Sequence, residues 1–124
     1  MREITHGDIR AAARVLLGLP ETGWPRLMRE MLDEAHCADR YRKAFARHHP
    51  RLGNGTLMSA AFARSPVPEP PAADPRYLAA IAASIEAVLR WRMERATLPA
   101  EGERRVEDAA RGWAGGPSAG SRRH

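Results

Sequence analysis

Side chains capable of metal, nucleophilic or acid–base chemistry are concentrated in residues 33–41: Asp33, His36, Cys37, Asp39 and Tyr41. His36 and Cys37 are adjacent, so on a helix they point about 100° apart and are poorly placed to bind one metal ion. Asp33 and Cys37 share a helical face, but a neighbouring carboxylate raises the pKa of a thiol, which is the opposite of what a nucleophile needs. The sequence has no second Cys and no HExxH motif. We therefore predict no enzyme activity, metal site or cofactor, and interpret Cys37 as a packing residue.

A basic cluster follows directly, in the sequence RYRKAFARHHPRLGNGTL of residues 40–57. Its cationic side chains are candidates for contact with DNA phosphates: Arg40, Arg42, Lys43, Arg47 and Arg51. In one interpretation they only cover a solvated helix face and lie over apolar neighbours. In the other they bind phosphates with little sequence preference, and affinity falls steeply as salt rises. His48 and His49 are predicted to cap the C-terminus of the helix, where a cation is favourable.

Arg42 and the glycines of this stretch have predicted roles that differ from those of the other basic residues. Arg42 lies on the apolar side of the helix, and an unpaired buried guanidinium is costly, so it either ends the apolar seam or pairs with a carboxylate such as Asp39. The glycines of LGNGT follow a helix rather than a strand and no GK[ST] follows them, which indicates a turn and not a nucleotide site. The short connection LGLPETG is compatible with a helix-turn-helix, but the helix after it is too long and too apolar for sequence-specific readout.

Length and composition restrict the class of protein. The 124 residues suit one small domain. Hydrophobic residues make up 44% but aromatic residues only 6%, so the core is thin and a second copy is expected to supply apolar surface. The net charge of +5 favours an anionic partner, with nucleic acid the first candidate. A single Cys excludes an intramolecular disulfide, and no apolar run resembles a signal peptide or spans a bilayer. We expect a soluble cytoplasmic protein with no membrane partner.

Helical periodicity predicts an all-α fold, with a helical domain over residues 1–96 and a tail over 97–124. Thr5 and Asp8 have the spacing of a capping box for a short N-terminal helix that ends near residue 17. A second helix is predicted to begin between Pro20 and Pro25 and to run to about residue 48. Its apolar residues follow steps of four and three, which is typical of a coiled-coil seam: Trp24, Met28, Met31, Ala35, Ala38 and Phe45. A helix this long is expected to pair with another long helix, and a second copy is one candidate.

The second half of the chain is predicted to form a turn, a short helix over residues 57–63 that Thr56 can cap, and a last long helix. Five prolines in SPVPEPPAADP, residues 65–75, indicate an extended spacer. Asp74 and Pro75 begin the last helix, which ends near residue 95 or 96. Four of its residues are candidates for the core or for oligomerisation: Leu78, Ile81, Ile85 and Val88. In the flexible tail, a short helix over 103–113 would present Val106, Ala110 and Trp113 to a partner protein.

A resemblance is carried by three segments: HGDIRAAARVLL, DRYRKAFARHHPRLGNGTLMSAAFAR and DPRYLAAIAASIEAVL. They resemble a small family of uncharacterised alphaproteobacterial proteins, which we identify with the small terminase subunits of gene transfer agents. The resemblance implies a non-enzymatic DNA-packaging component that forms rings, engages DNA through basic surfaces and recruits a large terminase, the ATPase-nuclease, through a terminal segment. The sequence shows no obvious counterpart of the separate N-terminal DNA-binding domain of many phage small terminases, so the resemblance leads us to expect packaging with little sequence preference.

Two functions follow from these observations. The first is an oligomeric DNA-packaging adaptor that binds DNA weakly and recruits a large terminase. The second is a protein-binding regulatory or scaffold module without nucleic-acid contact, in which the apolar seam is simply a core and the segment around Trp113 meets a protein.

Overall fold

The computed structural model describes residues 2–97, and within that range it contains helices and no β-strand. The four α-helices are α1 (His6–Leu16), α2 (Trp24–Phe45), α3 (Leu57–Phe62) and α4 (Pro75–Ala96), and a 3-10 turn, Glu21–Gly23, precedes α2. The predicted all-α class is confirmed. The predicted tail helix over 103–113, with Val106, Ala110 and Trp113, lies outside the described residues.

Three of the helices begin at the capping residues that the sequence indicates. The Thr5 hydroxyl accepts a hydrogen bond from the Asp8 N–H while the Asp8 carboxylate accepts one from the Thr5 N–H, which completes a capping box. Thr56 accepts from the Ser59 N–H at the start of α3. Asp74 accepts from two backbone N–H groups of the first turn of α4. Local polar chemistry therefore fixes where these helices begin.

The end of α2 differs from the prediction, because the helix stops at Phe45 instead of continuing to about His48. Ala46 adopts the left-handed conformation, with φ 58°, and its N–H closes the last turn on the Arg42 carbonyl. A left-handed alanine is unfavourable on its own, so the break is imposed by packing further along the chain. Gly55, with φ 94°, lies against α2, where a Cβ on it would approach the Asp39 Cα to 2.9 Å. The chain must turn back early to reach this contact.

The apolar seam of α2 forms the core of the single chain. Trp24, Met28 and Met31 are all at most 4% exposed. The Trp24 indole N–H donates to the Leu16 carbonyl at 2.6 Å, which ties the start of α2 to the end of α1. Phe45, at the far end of the seam, is only half-buried and packs on Tyr41 with ring centroids 4.8 Å apart.

The buried face of α4 is rotated away from the one that aliphatic spacing predicts. Val88 is buried and Ile81 is partly buried against the core, but Leu78 and Ile85 are 50% and 53% exposed. In their place, α4 packs on the core through two aromatic residues and the small residues between them: Tyr77, Ala80, Ser84 and Trp91. Small residues let the helix approach closely, and the aromatic residues bury more apolar surface than Leu or Ile. Leu78 and Ile85 thus remain candidates for oligomerisation and not for the core.

The two long helices, α2 and α4, run in the same direction. The Arg76 guanidinium at the start of α4 lies 5.4 Å from the ring centroid of Trp24 at the start of α2. Near the other end, the Trp91 indole N–H donates to Asp33 at 2.9 Å. This direction requires a long connection, and its proline-containing part lies along α1: the Arg14 Nε donates to the Val67 carbonyl at 2.7 Å. The C-terminal ends of α2 and α4 therefore lie at one end of the domain.

Candidate nucleic-acid interface

The five basic residues singled out by the sequence lie on the last turns of α2 and on the segment that follows it. Lys43, Arg47 and Arg51 are exposed, whereas Arg40 and Arg42 are partly buried. Within residues 2–97, neither Arg47 nor Arg51 forms an ion pair with a carboxylate. All five contribute to one cationic region of the surface.

Arg42 and Lys43 are held by the same buried carboxylate. The Arg42 Nη2 lies 2.9 Å from Asp39 Oδ1, and the Lys43 Nζ lies 3.2 Å from Oδ2. The Asp39 side chain has no exposed surface. Burial opposes its ionisation, but hydrogen bonds from Arg42 and Lys43 outweigh burial, so the pKa of Asp39 is lowered. Arg42 thus pairs with Asp39, one of the two outcomes expected for it, and the site keeps a net positive charge.

His49 shapes the turn that carries Arg51. Its Nδ1 accepts hydrogen bonds from the Arg51 and Leu52 N–H groups at 2.9 and 3.0 Å. A ring nitrogen that accepts a hydrogen bond carries no proton. Burial, and to a smaller extent the charge of Arg51, lowers the pKa of His49. The predicted role of His49 as a cationic cap is therefore wrong: it is a neutral, buried acceptor, stacked edge-on against Tyr41. His48 is exposed.

Arg95 and Arg2 join this region from distant parts of the sequence. Arg95, in the last turn of α4, lies 3.1 Å from the His36 Nε2 and over the ring of Trp91. Burial, followed by nearby positive charges that include those of Arg95 and Arg40, lowers the pKa of His36 to about 3. Arg2 donates to the Asn54 carbonyl. We call this surface the basic end, and it comprises Arg2, Arg40, Arg42, Lys43, Arg47, Arg51 and Arg95.

Sequence reasoning missed Arg95 and Arg2 because neither lies near the cluster along the chain. Arg95 reaches it only because α4 runs parallel to α2. The one available signal was the placement of an Arg in the last turn of a long helix, which is common and unspecific.

Arginines elsewhere on the described surface are mostly paired with carboxylates. The Arg64 guanidinium binds both oxygens of Glu34, at 2.8 and 2.7 Å. Further ion pairs join Arg10 to Glu69, Arg26 to Glu30, Arg29 to Glu94 and Arg90 to Glu86. Within each pair the two charges neutralise each other, so the net positive charge of the described residues is concentrated at the basic end.

The stretch from Asp33 to Tyr41 has a structural role. The Asp33 carboxylate accepts from Trp91, and Tyr41 is 1% exposed in the interior. Burial, with a smaller contribution from Asp33, raises the pKa of Cys37 to about 11, so the thiol is a poor nucleophile. Among residues 2–97 there is no cluster of three side chains able to hold a metal ion.

None of the helices in the described part of the chain is long and apolar enough to cross a membrane.

Comparison with known proteins places the chain in a family but gives it no characterised relative. A family model, described as a domain of unknown function (DUF7742), matches residues 2–88, which cover α1, α2, α3 and most of α4. No curated protein and no solved structure matches the chain. Since the match spans well over half of the sequence, the chain belongs to the DUF7742 family.

Proposed function

We propose that this protein is a non-enzymatic DNA-packaging adaptor similar to a small terminase. In this proposal it self-associates, binds DNA weakly and without sequence preference through the basic end, and recruits a large terminase, an ATPase-nuclease, through the segment around Trp113. The observation that carries the proposal is the convergence of cations from α2, α4 and the turn after α2 on one end of the domain.

The geometry of the basic end suits phosphate better than bases. Arg42 and Lys43 are anchored to Asp39 and so are held near the protein surface. Side chains fixed in this way do not reach deeply into a groove, whereas they contact a phosphate backbone that passes over them. Arg47 and Arg51 are exposed and supply planar guanidinium groups that can bind phosphate through two hydrogen bonds. Several such contacts give weak binding that is sensitive to salt.

DNA binding is tested by reversing charge at the two exposed arginines. Fluorescence anisotropy with a labelled duplex at low salt should show binding by the unmodified chain, and the double variant Arg47→Glu, Arg51→Glu should lose affinity by about tenfold or more. The matched control, Arg10→Glu with Arg26→Glu, has the same net charge, but Arg26 lies at the start of α2 and Arg10 pairs with Glu69 beside the start of α4. It should bind far better than the first variant. The absence of duplex binding by the unmodified chain at low salt would refute the proposal.

A protein-binding regulatory or scaffold module is the second candidate, and a different surface favours it. A cleft of about 790 Å³ lies between the first half of α2 and α4. Its walls include Trp24, Trp91 and small residues such as Ala83, a lining that suits an apolar side chain of a partner. Partner capture that survives charge reversal at residues 40–51 but is lost on deletion of residues 97–124 would favour this function over DNA packaging.

A further inference from the structure

The described part of the chain ends beside the cleft between α2 and α4. One wall of this cleft follows α4 from Ala79 to Glu94. α4 ends two residues later, at Ala96, and the Thr97 hydroxyl donates to the Glu94 carbonyl at 2.8 Å. Thr97 is three residues after Glu94 and so lies on the same side of the helix. A segment that turns back after Thr97 therefore meets the cleft first.

The sequence after Thr97 has the length and the turn residues for such a return. A short helix is predicted over 103–113, which leaves the residues LPAEG between it and Thr97. Connections of about two to eight residues are usual between neighbouring helices, and Pro99 and Gly102 both favour turns. A helix over 103–113 is roughly 16 Å long, whereas the α4 wall of the cleft is roughly 22 Å long. The predicted helix therefore fits within the cleft.

The α4 wall and the apolar face of the predicted helix are complementary in size. On α4 the cleft is lined largely by small residues: Ala79, Ala82, Ala83 and Ala87. The predicted helix carries its apolar residues on one face: Val106, Ala109, Ala110 and Trp113. If the returning helix starts level with Glu94, Trp113 lies roughly 15 Å further back, level with Ala83. Its large ring then meets small side chains, which leave room for it.

The two walls of the cleft differ in charge. Charged residues line both of them: Glu21, Arg26 and Arg29 on the α2 side, and Glu86, Arg90 and Glu94 on the α4 side. Two Arg and one Glu give the α2 wall a net charge of +1, whereas two Glu and one Arg give the α4 wall −1. Arg26 and Arg29 each touch one carboxylate, but their side chains are 88% and 59% exposed, so a second carboxylate can reach them.

Charged residues flank the apolar face of the predicted helix in the arrangement that these walls require. Seen from the C-terminal ends of α2 and α4, with α4 drawn above α2, the core lies to the right and the cleft to the left. Residues of a right-handed helix that runs away from the viewer advance clockwise, by about 100° each. With Val106 facing right, into the cleft, Glu103 and Glu107 lie below, towards α2, and Arg105 lies above, towards α4. A helix parallel to α4 exchanges the two flanks and brings like charges together.

We infer that residues 103–113 lie in the cleft of the same chain, as a helix antiparallel to α4 with Trp113 against the small residues around Ala83. Docking of this segment does not depend on the proposed function, but one consequence rests on it. If the segment around Trp113 recruits a large terminase, Trp113 must first leave the cleft. Recruitment then competes with docking.

Disulfide trapping in a background with Cys37→Ser, which removes the only cysteine, tests the contact. Ala87→Cys combined with Ala109→Cys should close a disulfide within one chain in oxidised glutathione, because Ala109 falls level with Ala87 on the flank that faces α4. The matched control is Leu89→Cys with Ala109→Cys, since Leu89 is exposed and does not line the cleft. The control should close at least tenfold more slowly. Equal rates, or disulfides formed only between two chains, would overturn the inference.

A charge exchange tests the direction of the docked helix. At about 0.15 M salt, Glu107→Arg should slow closure of the disulfide between positions 87 and 109 severalfold, and Arg26→Glu in the same chain should restore most of the rate. Asp108→Arg is the matched control, because Asp108 falls on the side of the predicted helix that faces away from the cleft. Failure of Arg26→Glu to restore the rate, or equal slowing by Asp108→Arg, would contradict the antiparallel arrangement.

Hydrogen exchange tests docking in the unmodified chain. The amides of residues 106–113 should exchange at least tenfold more slowly than in an isolated peptide of residues 98–124, because so short a helix is not stable alone. Equal rates would overturn the inference, and protection that appears only at high protein concentration would do so by assigning the cleft to the tail of a second copy. The variant Arg47→Glu, Arg51→Glu should keep this protection, so failure of docking and failure of DNA binding are observed separately.

Discussion

The buried carboxylate of Asp8 accepts a hydrogen bond from the backbone N–H of Met58, 50 residues further along the chain, at 2.8 Å. Its other oxygen accepts from the N–H and the hydroxyl of Thr5, both at 2.8 Å. One side chain therefore completes the N-terminal cap of α1 and satisfies the second N–H of α3. Through Asp8 the starts of these two helices are fixed to each other.

Replacing Asp8 should cost more stability than replacing an ordinary helix cap. Asp8→Ala leaves the partly buried N–H of Met58 without its partner and also removes a cap, so the free energy of unfolding should fall by about 2–3 kcal/mol. Asp74 also caps a helix, α4, but contacts only the backbone of its own first turn. Asp74→Ala should therefore cost only about 1 kcal/mol. Urea unfolding followed by circular dichroism measures both, and equal losses would refute the role given to Asp8.

Replacing Ala46 with Gly should stabilise the protein. Ala46 ends α2 with φ 58°, a conformation that costs an alanine about 1 kcal/mol and a glycine almost nothing. Ala46 is exposed, so no packing is lost. Ala46→Gly should raise the free energy of unfolding by up to about 1 kcal/mol, measured by thermal or urea unfolding. Ala63→Gly is the control: Ala63 ends α3 in a right-handed conformation, and the same change there should be neutral or destabilising.

The positions at which helices begin could be predicted from the sequence because they depend on local chemistry. Thr5 with Asp8, Thr56, and Asp74 with Pro75 each act on residues within one turn, and all three starts agree with the structure. The early end of α2 could not be predicted in this way. It is set by the approach of Gly55 to Asp39, a contact between residues far apart in the sequence.

The face of α4 that packs on the core could not be predicted from hydrophobicity alone. Aliphatic residues occur on two sides of this helix, and the choice between them depends on where α1 and α2 lie. Tyr77 and Trp91 decide it, since each fills a large volume and donates its polar hydrogen to a carboxylate, Glu69 and Asp33 respectively. Leu78, Ile85, Leu89 and Met93 remain exposed after that choice.

The candidate site was predicted in part. The residues from Arg40 to Arg51 form one stretch of sequence and lie in one region of the surface. The ion pair between Arg42 and Asp39 was one of two expected outcomes, but the second ion pair, between Lys43 and Asp39, was not predicted. Arg95 could not be found, because the sequence does not reveal that α2 and α4 are parallel.

Stability should fall as the pH drops below 6.5, before the carboxylates titrate. The pKa of His36 is lowered from 6.5 to about 3 by burial and by the nearby charges of Arg95 and Arg40, and the pKa of His49 is also lowered. The unfolded chain therefore takes up protons at these sites from about pH 6.5 downward, while the folded chain does not. Their contribution to stability is complete above 6.5 and is lost progressively towards the folded pKa.

Melting temperatures measured across this range test the pH effect, and the imidazole resonances of His36 test its cause. We expect the melting temperature to decrease steadily below pH 6.5, and the His36 resonances to stay unshifted until strongly acidic pH. A His36 ring that titrates near 6.5 in the folded protein would contradict the burial described for it. His48→Gln is a suitable control, since His48 is exposed and should contribute little to stability.

Replacing Asp39 should change stability and DNA binding in opposite directions. Asp39→Asn keeps the shape of the side chain but leaves Arg42 and Lys43 without their shared negative charge. Both cations are partly exposed to solvent, so the free energy of unfolding should fall by only about 1–2 kcal/mol. Because the pKa of Asp39 is lowered in the folded state, its stabilising effect is present above the unfolded pKa, near 3.8, and is lost as the pH falls through the folded pKa. The difference in free energy of unfolding between Asp39→Asn and the unmodified chain should therefore reach its full size at neutral pH.

The same substitution adds one positive charge to the basic end and releases two cations for contact with phosphate. If the basic end binds DNA, the affinity of Asp39→Asn for a duplex should rise severalfold at low salt, and the advantage should shrink as salt is added. Anisotropy titrations at several salt concentrations, below the melting temperature of the variant, measure this. Asp33→Asn is the control, because Asp33 accepts from Trp91 and neither Arg42 nor Lys43 pairs with it. Equal affinity of Asp39→Asn and the unmodified chain at low salt would place DNA binding elsewhere on the molecule.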